Sequence, residues 1–236
     1  MNKKTRRKGM TRNALILMTR VPIPGKTKTR LMPMLSKEQC AELHKCFLLD
    51  CFSVLEVLRE ETEIFITFSE ENEFSLMSGY VPEFIKAFPQ EGADLGERMS
   101  NAFLKVFSMG YENVILIGSD IPQINSRILR AAFKALKENE VCLGPTYDGG
   151  YYLIGMKSLH EALFNKTMKW STDSVIDTTL NIAENLGLKT MLLEKQRDID
   201  TREDLEALLS EEILPKYTEA FIKKNFVGVI QCLEKG

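Results

Sequence analysis

At 236 residues the chain is long enough for one large domain or two small ones, and can bury a core without disulfide or metal staples. A composition of 44% hydrophobic and 27% charged residues is that of an ordinary globular protein, and a formal net charge of −2 creates no field favouring nucleic acid or an anionic membrane. The five cysteines form no C-x-x-C pair and the only histidines are His44 and His160, which excludes a disulfide framework and a His-rich metal site and makes a reduced, cytoplasmic compartment the expectation.

The first twelve residues carry Lys3, Lys4, Arg6, Arg7, Lys8 and Arg12 and no acid. The apolar run behind them, Ala14 to Met18, is too short for the core of a signal peptide, and no stretch reaches the length of a membrane span. Residues 1–12 therefore read as a disordered basic tail, and residues 13–236 as one domain.

Ala14 to Met18 has the uninterrupted apolar pattern of a strand buried on both faces. After a loop rich in Pro, Gly and Lys, Ser36 and Gln39 form a capping-box pattern opening a helix with the stripe Leu43, Phe47, Cys51, Val54 and Leu58. Strands are expected at Glu63 to Phe68 and Phe84 to Phe88, then a helix capped by Asp94, striped by Met99, Phe103, Val106 and Phe107 and stopped at Gly110. Val114 to Ile117 is again fully apolar, followed by Gly118-Ser119-Asp120 and a helix from about Ser126 to Lys137. Two strands, Glu140 to Gly144 and Tyr151 to Met156, flank the turn Asp148-Gly149-Gly150. A helix begins near Thr172, a strand covers Lys189 to Leu193, Thr201 caps another helix, and the rest is helical with a break at Pro215. Alternating strands and helices predict an α/β fold with a mostly parallel sheet covered on both faces. Ligands of such sheets bind beyond the carboxyl ends of the strands, which selects the loops after Met18 and Ile117.

The first of these loops contains Gly25-Lys26-Thr27, but Arg20 occupies the place where a P-loop needs its first glycine, and Pro22 and Pro24 remove two N–H donors. What remains is a stiff loop presenting Lys26, Lys28 and Arg30, with Arg20 beside them, a set suited to a polyphosphate or simply a solvated basic loop. Asp120, directly after a buried strand, is placed to hold Mg²⁺ or Mn²⁺ against phosphate oxygens, or to make a turn. Asp198-Ile199-Asp200-Thr201 combines a helix cap with an aspartate, Asp200, able to face the same crevice. The Asp148-Gly149-Gly150 turn beside Tyr151 and Tyr152 is a hairpin signal that also leaves room for a ligand to approach. Trp170-Ser171-Thr172 reads either as a ligand contact or as an anchored helix cap, and Arg98 lies one turn into a helix whose Gly96 implies a close approach.

In order, these segments are Pro22-x-Pro24-Gly25-x-x-Lys28-Thr29-Arg30-Leu31, Asp94-Leu95-Gly96-x-Arg98-Met99, Gly118-Ser119-Asp120-x-Pro122, Leu143-Gly144-Pro145-x-x-Asp148-Gly149-Gly150-Tyr151-Tyr152, Trp170-Ser171-Thr172 and Asp198-Ile199-Asp200-Thr201. Together they resemble the radical-SAM/selenodomain-associated transferases, a bacterial family with the Rossmann-like GT-A fold of nucleotide-diphospho-sugar transferases. Lys28-Thr29-Arg30-Leu31 also resembles the phosphate loop of phospholactate guanylyltransferases. Asp200-Thr201 is similar to the late aspartate of molybdenum-cofactor and sugar-nucleotide nucleotidyltransferases. The Asp-x-Asp of many glycosyltransferases is missing, and Arg202 follows Thr201 where relatives often have proline.

The resemblance implies Asp120 as the principal ligand of Mg²⁺ or Mn²⁺, Asp200 as the second, and Lys28 and Arg30 as contacts to the donor's phosphates; Gly25, Lys26 and Arg98 are expected beside them from their positions in the sequence. Gly149, Gly150, Tyr151, Trp170, Ser171 and Thr172 are then expected near substrate, and Asp148 as general base. The expected partners are a nucleotide-sugar or nucleoside triphosphate donor and a small-molecule acceptor, with neither nucleic acid nor membrane. Glycosyl transfer ranks first, nucleotidyl transfer with pyrophosphate release second, and a nucleotide sensor without turnover third.

Overall fold

The computed structural model describes residues 12–165, 168–170 and 172–226. The expected basic tail therefore falls outside the described residues except at Arg12. That residue is anchored: its guanidinium donates to the Met109 carbonyl at 3.2 Å and lies 4.5 Å from the centre of the Tyr111 ring.

Among the described residues seven strands form one sheet, β1 (Asn13–Arg20), β2 (Glu63–Ser69), β3 (Ile85–Pro89), β4 (Asn113–Gly118), β5 (Val141–Pro145), β6 (Tyr151–Met156) and β7 (Thr190–Leu192), in the spatial order β3-β2-β1-β4-β6-β5-β7. Their apolar runs make them central: in β1 every residue from Ala14 to Thr19 is buried. β1 pairs in parallel with β2 and β4, β2 with β3, and β5 with β7, whereas β6 is antiparallel to both β4 and β5. The one reversed strand shapes the ligand edge of the sheet. It brings the start of β6 to the place where β1 and β4 end, since Ile117 lies opposite Leu153 and Met18 opposite Gly118.

The helices are α1 (Lys37–Glu56), α2 (Ser75–Ser78), α3 (Leu95–Ser108), α4 (Ser126–Ala135), α5 (Val175–Asn185), α6 (Arg202–Leu209) and α7 (Lys216–Asn225). Helix α1 starts with the expected capping box of Ser36 and Gln39, and α6 with that of Thr201 and Asp204. Asp94 caps α3 through the Glu97 N–H. On one face of the sheet, α1 and α4 bury Leu48, Cys51, Leu129 and Phe133 against Leu15, Leu17 and Ile117. On the other, α3 places Met99, Phe103 and Val106 over Ile16, Phe65 and Leu116. A third cluster, with Leu43 and Phe47 of α1 against Leu205, Leu208 and Phe221, fixes α6 and α7 to the outside of α1. Helices thus cover both faces, as expected.

One start shifts. The helix expected from Thr172 begins at Val175, so Thr172 does not cap it. Helix α4 begins at Ser126, as expected, and Asn125 caps it through the Ile128 N–H. The described cysteines Cys40, Cys46, Cys51 and Cys142 are free, and Cys232 is outside the described residues. Among the described residues no helix is long and apolar enough to cross a membrane.

Candidate functional site

Three loops converge beyond the ends of β1 and β4. The Ile199 N–H donates to the Asp120 carbonyl at 2.9 Å, which stitches the loop after β4 to the segment before α6 and sets Asp200 beside Asp120. From the third loop comes Lys28, whose backbone is left-handed, with φ 50° and ψ 38°. That conformation is uncommon for a residue with a side chain. Here it turns the side chain inward, where it is only 3% exposed. The ammonium donates to the Ile199 carbonyl at 2.7 Å and to Asp200 Oδ1 at 2.9 Å, and pairs with Asp120 Oδ1 at 2.5 Å. All three of its protons are engaged. Phe47 closes the back, its ring centre 5.3 Å from Nζ.

Lys28, expected among the phosphate contacts, instead stands between the two expected metal ligands. Burial disfavours the ammonium, but Asp120 and Asp200 outweigh burial and hold the Lys28 pKa above its ordinary value. Burial likewise disfavours the Asp120 carboxylate, and Lys28, with smaller help from His44 and Arg20, outweighs that and lowers its pKa. Both groups are therefore charged.

The same geometry tests the fit of a divalent ion. Two carboxylates converge on one point that a cation already fills, and both remain partly open to the cavity, 43% and 36% exposed. Among the described residues no three His, Cys, Asp or Glu side chains gather around one point. Two carboxylates completed by phosphate oxygens and water are a usual set for magnesium, so the residues fit it.

Behind Asp120 lies a network that sequence reading missed. His44 of α1 is 3% exposed, with Nε2 3.1 Å from Thr19 Oγ1 and 3.2 Å from Ser119 Oγ. Thr19 Oγ1 also donates to Ser119 Oγ at 2.9 Å, so the end of β1, the middle of α1 and the residue before Asp120 are locked together. Burial pushes the His44 pKa down to about 4, giving a neutral ring at physiological pH. Its Nδ1 has no partner among the described residues.

The site opens into a cavity of about 680 Å³, within the range of small-molecule pockets. Lys26 and Arg30 line it, both exposed, and neither side chain has an ion-pair partner among the described residues. Arg20 at the rim is shared with Glu70 at 3.8 Å. Arg98 lines the cavity while its Nε donates to the Gly92 carbonyl at 3.1 Å. Gly25 supplies a positive φ of 79° to the loop without lining the cavity itself.

The β5–β6 turn lines the same cavity through Thr146, Asp148 and Gly150. Asp148 Oδ1 accepts from Thr146 Oγ1 at 2.5 Å and from the Gly150 N–H at 3.0 Å, so the expected base also braces its own turn. Gly149 faces away from the cavity: its φ is 88°, and a Cβ would come within 2.1 Å of the Asp173 carbonyl oxygen. It is the chain before α5, rather than a ligand, that requires this glycine. Gly150 and Tyr151 do line the cavity, and burial keeps the Tyr151 phenol protonated.

Trp170 and Thr172 line it as well, and Ser171 is outside the described residues. The close approach that Gly96 implied is made by Trp170 and by the Phe164 carbonyl, at 2.7 and 2.9 Å from where a Cβ would stand. The Trp170 indole N–H is buried with no partner among the described residues. Asp198, which is not among the expected site residues, also lines the cavity. Burial, then the charges of Asp148 and Asp200, push its pKa up to about 7. The signal available in the sequence was its spacing, two residues before Asp200 in a strand-to-helix loop.

The molecule has clear structural relatives. A protein from Desulfovibrio desulfuricans G20, provisionally described as a nucleotide-diphospho-sugar transferase, superposes with a TM-score of 0.85 at 29% identity, over 95% of this chain and 99% of its own. CMP:2-keto-3-deoxy-manno-octonic acid synthetase complexed with CTP gives a TM-score of 0.52 at 13% identity, over 85% of this chain and 100% of its own. Rv0371c from Mycobacterium tuberculosis H37Rv, in complex with manganese, gives 0.50 at 14% identity, over 85% and 100%. The latter two share the fold. No curated protein matches the sequence. The overall likeness in fold extends from the provisionally described nucleotide-diphospho-sugar transferase to cytidylyltransferases. Residues 54–172 match the model of the family described as "uncharacterized protein conserved in bacteria (DUF2064)", half of the chain, and the chain belongs to that family.

Proposed function

We propose that the protein is a metal-dependent transferase that takes a nucleotide-diphospho-sugar and passes its glycosyl group to a small-molecule acceptor. The observation carrying this reading is that one cavity is lined both by two carboxylates, Asp120 and Asp200, and by two cations, Lys26 and Arg30, that have no ion-pair partner among the described residues. A diphosphate suits such a lining, since its oxygens can meet both the cations and an ion on the carboxylates. The likeness to the Desulfovibrio protein over nearly the full length of both chains supports the choice of donor.

In this reading Asp120 and Asp200 hold Mg²⁺ or Mn²⁺, which offsets the charge that develops on the departing nucleoside diphosphate. Lys26 and Arg30 orient the phosphates, and Arg98 lies within the same cavity to reach an anionic group. Tyr151 and Trp170 supply flat apolar surface for the sugar or base. The general base is Asp148 or Asp198. Asp198, pushed up to about 7 by burial and then by the charges of Asp148 and Asp200, suits proton transfer at neutral pH, and Asp148 is the more exposed of the two.

A second reading, nucleotidyl transfer from a nucleoside triphosphate, is favoured by the number of cations at the cavity, which suits three phosphates as well as two. The resemblance of Lys28-Thr29-Arg30-Leu31 to guanylyltransferases goes with this second reading, and the resemblance to radical-SAM/selenodomain-associated transferases with the first. One experiment separates the readings. The protein is incubated with Mg²⁺ or Mn²⁺ and each of a panel of nucleotide-sugars and nucleoside triphosphates, and released nucleoside diphosphate and pyrophosphate are assayed. Nucleoside diphosphate from a nucleotide-sugar supports glycosyl transfer. Pyrophosphate from a triphosphate replaces it with nucleotidyl transfer, and tight binding of a donor without any product would leave a sensor.

A further inference from the structure

We infer that Lys28 is a resident cation of the donor site, competing with the divalent ion for Asp120 and Asp200 and so gating its entry. The inference rests on the proposed metal site and goes beyond it by assigning Lys28 a role before any donor is bound.

The three protons of the ammonium go to Asp120 Oδ1, Asp200 Oδ1 and the Ile199 carbonyl, at 2.5, 2.9 and 2.7 Å. These acceptors are arranged around one point, as ligands are around a metal. A divalent ion bound to the same oxygens would stand about 2.0–2.6 Å from each, in the space the ammonium fills. The two cations cannot share it.

Nor is the ammonium free to drift aside. Its side chain is 3% exposed, packed over Phe47, and leaves the backbone at the left-handed Lys28. Without donor, a metal ion that displaces it strands a buried charge, and that cost opposes metal binding. Donor phosphates change the balance. Held by Lys26 and Arg30 at the same cavity, they offer the displaced ammonium a new anionic partner. Lys28 thereby couples metal affinity to the presence of donor, and meets the phosphates only after it has yielded the carboxylates. Couplings of this kind typically amount to roughly 5–150-fold in affinity.

The test is Mn²⁺ binding to the full chain without nucleotide, followed by loss of the free-ion electron paramagnetic resonance signal. Lys28→Met keeps the stem and removes the charge, and Lys28→Arg keeps the charge. The expected result is a gain in Mn²⁺ affinity of roughly 5–150-fold for Lys28→Met, none for Lys28→Arg, and disappearance of the gain when Asp120→Asn is added. Equal affinity in wild type and Lys28→Met would overturn the inference and leave the metal reading standing. Failure of both to take up Mn²⁺ would overturn the metal reading and the inference with it. A measurement on the wild type covers the case in which Lys28→Met does not fold: amine acylation mapped by peptide mass spectrometry. Lys28 should be protected relative to Lys26 and become reactive as Mn²⁺ is added, and protection unaffected by bound Mn²⁺ would refute the displacement.

Discussion

Replacing Asp120 by Asn tests whether the buried ion cluster stabilises the fold or merely occupies it. The substitution keeps size and shape but leaves the Lys28 ammonium with the Ile199 carbonyl and Asp200. Breaking a fully buried pair typically costs about 3–5 kcal/mol, while exposed pairs contribute about 0–1 kcal/mol. This cluster lies between those limits, because the lysine is 3% exposed but Asp120 is 43% exposed and screened by water. We expect Asp120→Asn to cost ~1–2 kcal/mol, which lowers the melting temperature of a chain this size by ~2–8 °C. Lys28→Met should cost a similar amount, since it sets two carboxylates facing each other without a cation. The double variant should recover much of both losses, as the remaining Asp200 is partly solvated. Urea denaturation with chelator present, analysed as a double-mutant cycle, measures the coupling. An Asp120→Asn variant as stable as wild type, or additive losses in the double variant, would refute the reasoning.

Outside the ion cluster, three other residues have measurable consequences. His44 is depressed to about 4 in the fold, against roughly 6.5 when unfolded, so the unfolded chain binds the proton more readily between those values. Stability should be complete above about pH 6.5 and fall by ~3 kcal/mol as pH drops toward 4. His44→Gln should flatten that part of the urea-midpoint profile, and an unchanged slope would rule out His44 as the source. Gly149→Ala should cost ~1–3 kcal/mol, because it adds strain at a φ of 88° and drives a methyl into the Asp173 carbonyl. A wild-type melting temperature would contradict this. Asp50 is buried and accepts from the N–H groups of Tyr217 and Thr218 and from Thr218 Oγ1, at 2.7–2.9 Å. Asp50→Ala should cost ~1–3 kcal/mol and speed hydrogen exchange at the start of α7, and unaltered exchange there would remove Asp50 as its cap.

What the sequence disclosed of this molecule was backbone, and what it withheld was side-chain direction. Strands such as Ala14 to Met18 and Val114 to Ile117 are legible because burial on both faces demands unbroken apolar runs. Helix starts at Lys37, Leu95 and Arg202 are legible because caps depend on residues three apart in the chain. The cavity was legible for the same reason: strand ends fix where loops gather, and Asp120, Asp148 and Asp200 follow from it. Which way a loop side chain points depends on contacts far away in sequence. Lys28, Lys26 and Arg30 are equivalent on a charge count, yet one is buried and two are exposed. The difference arises from one left-handed backbone residue and from Asp200, 172 positions downstream. His44 was invisible for a related reason, since a histidine inside an amphipathic stripe reads as surface until Thr19 and Ser119, 25 and 75 residues away, are brought to it. Both missed features lie directly against Asp120, where three loops meet and local rules end. A charge count across a loop therefore measures how much cation the site contains. Only the fold says which part is available to a ligand and which part already serves as one.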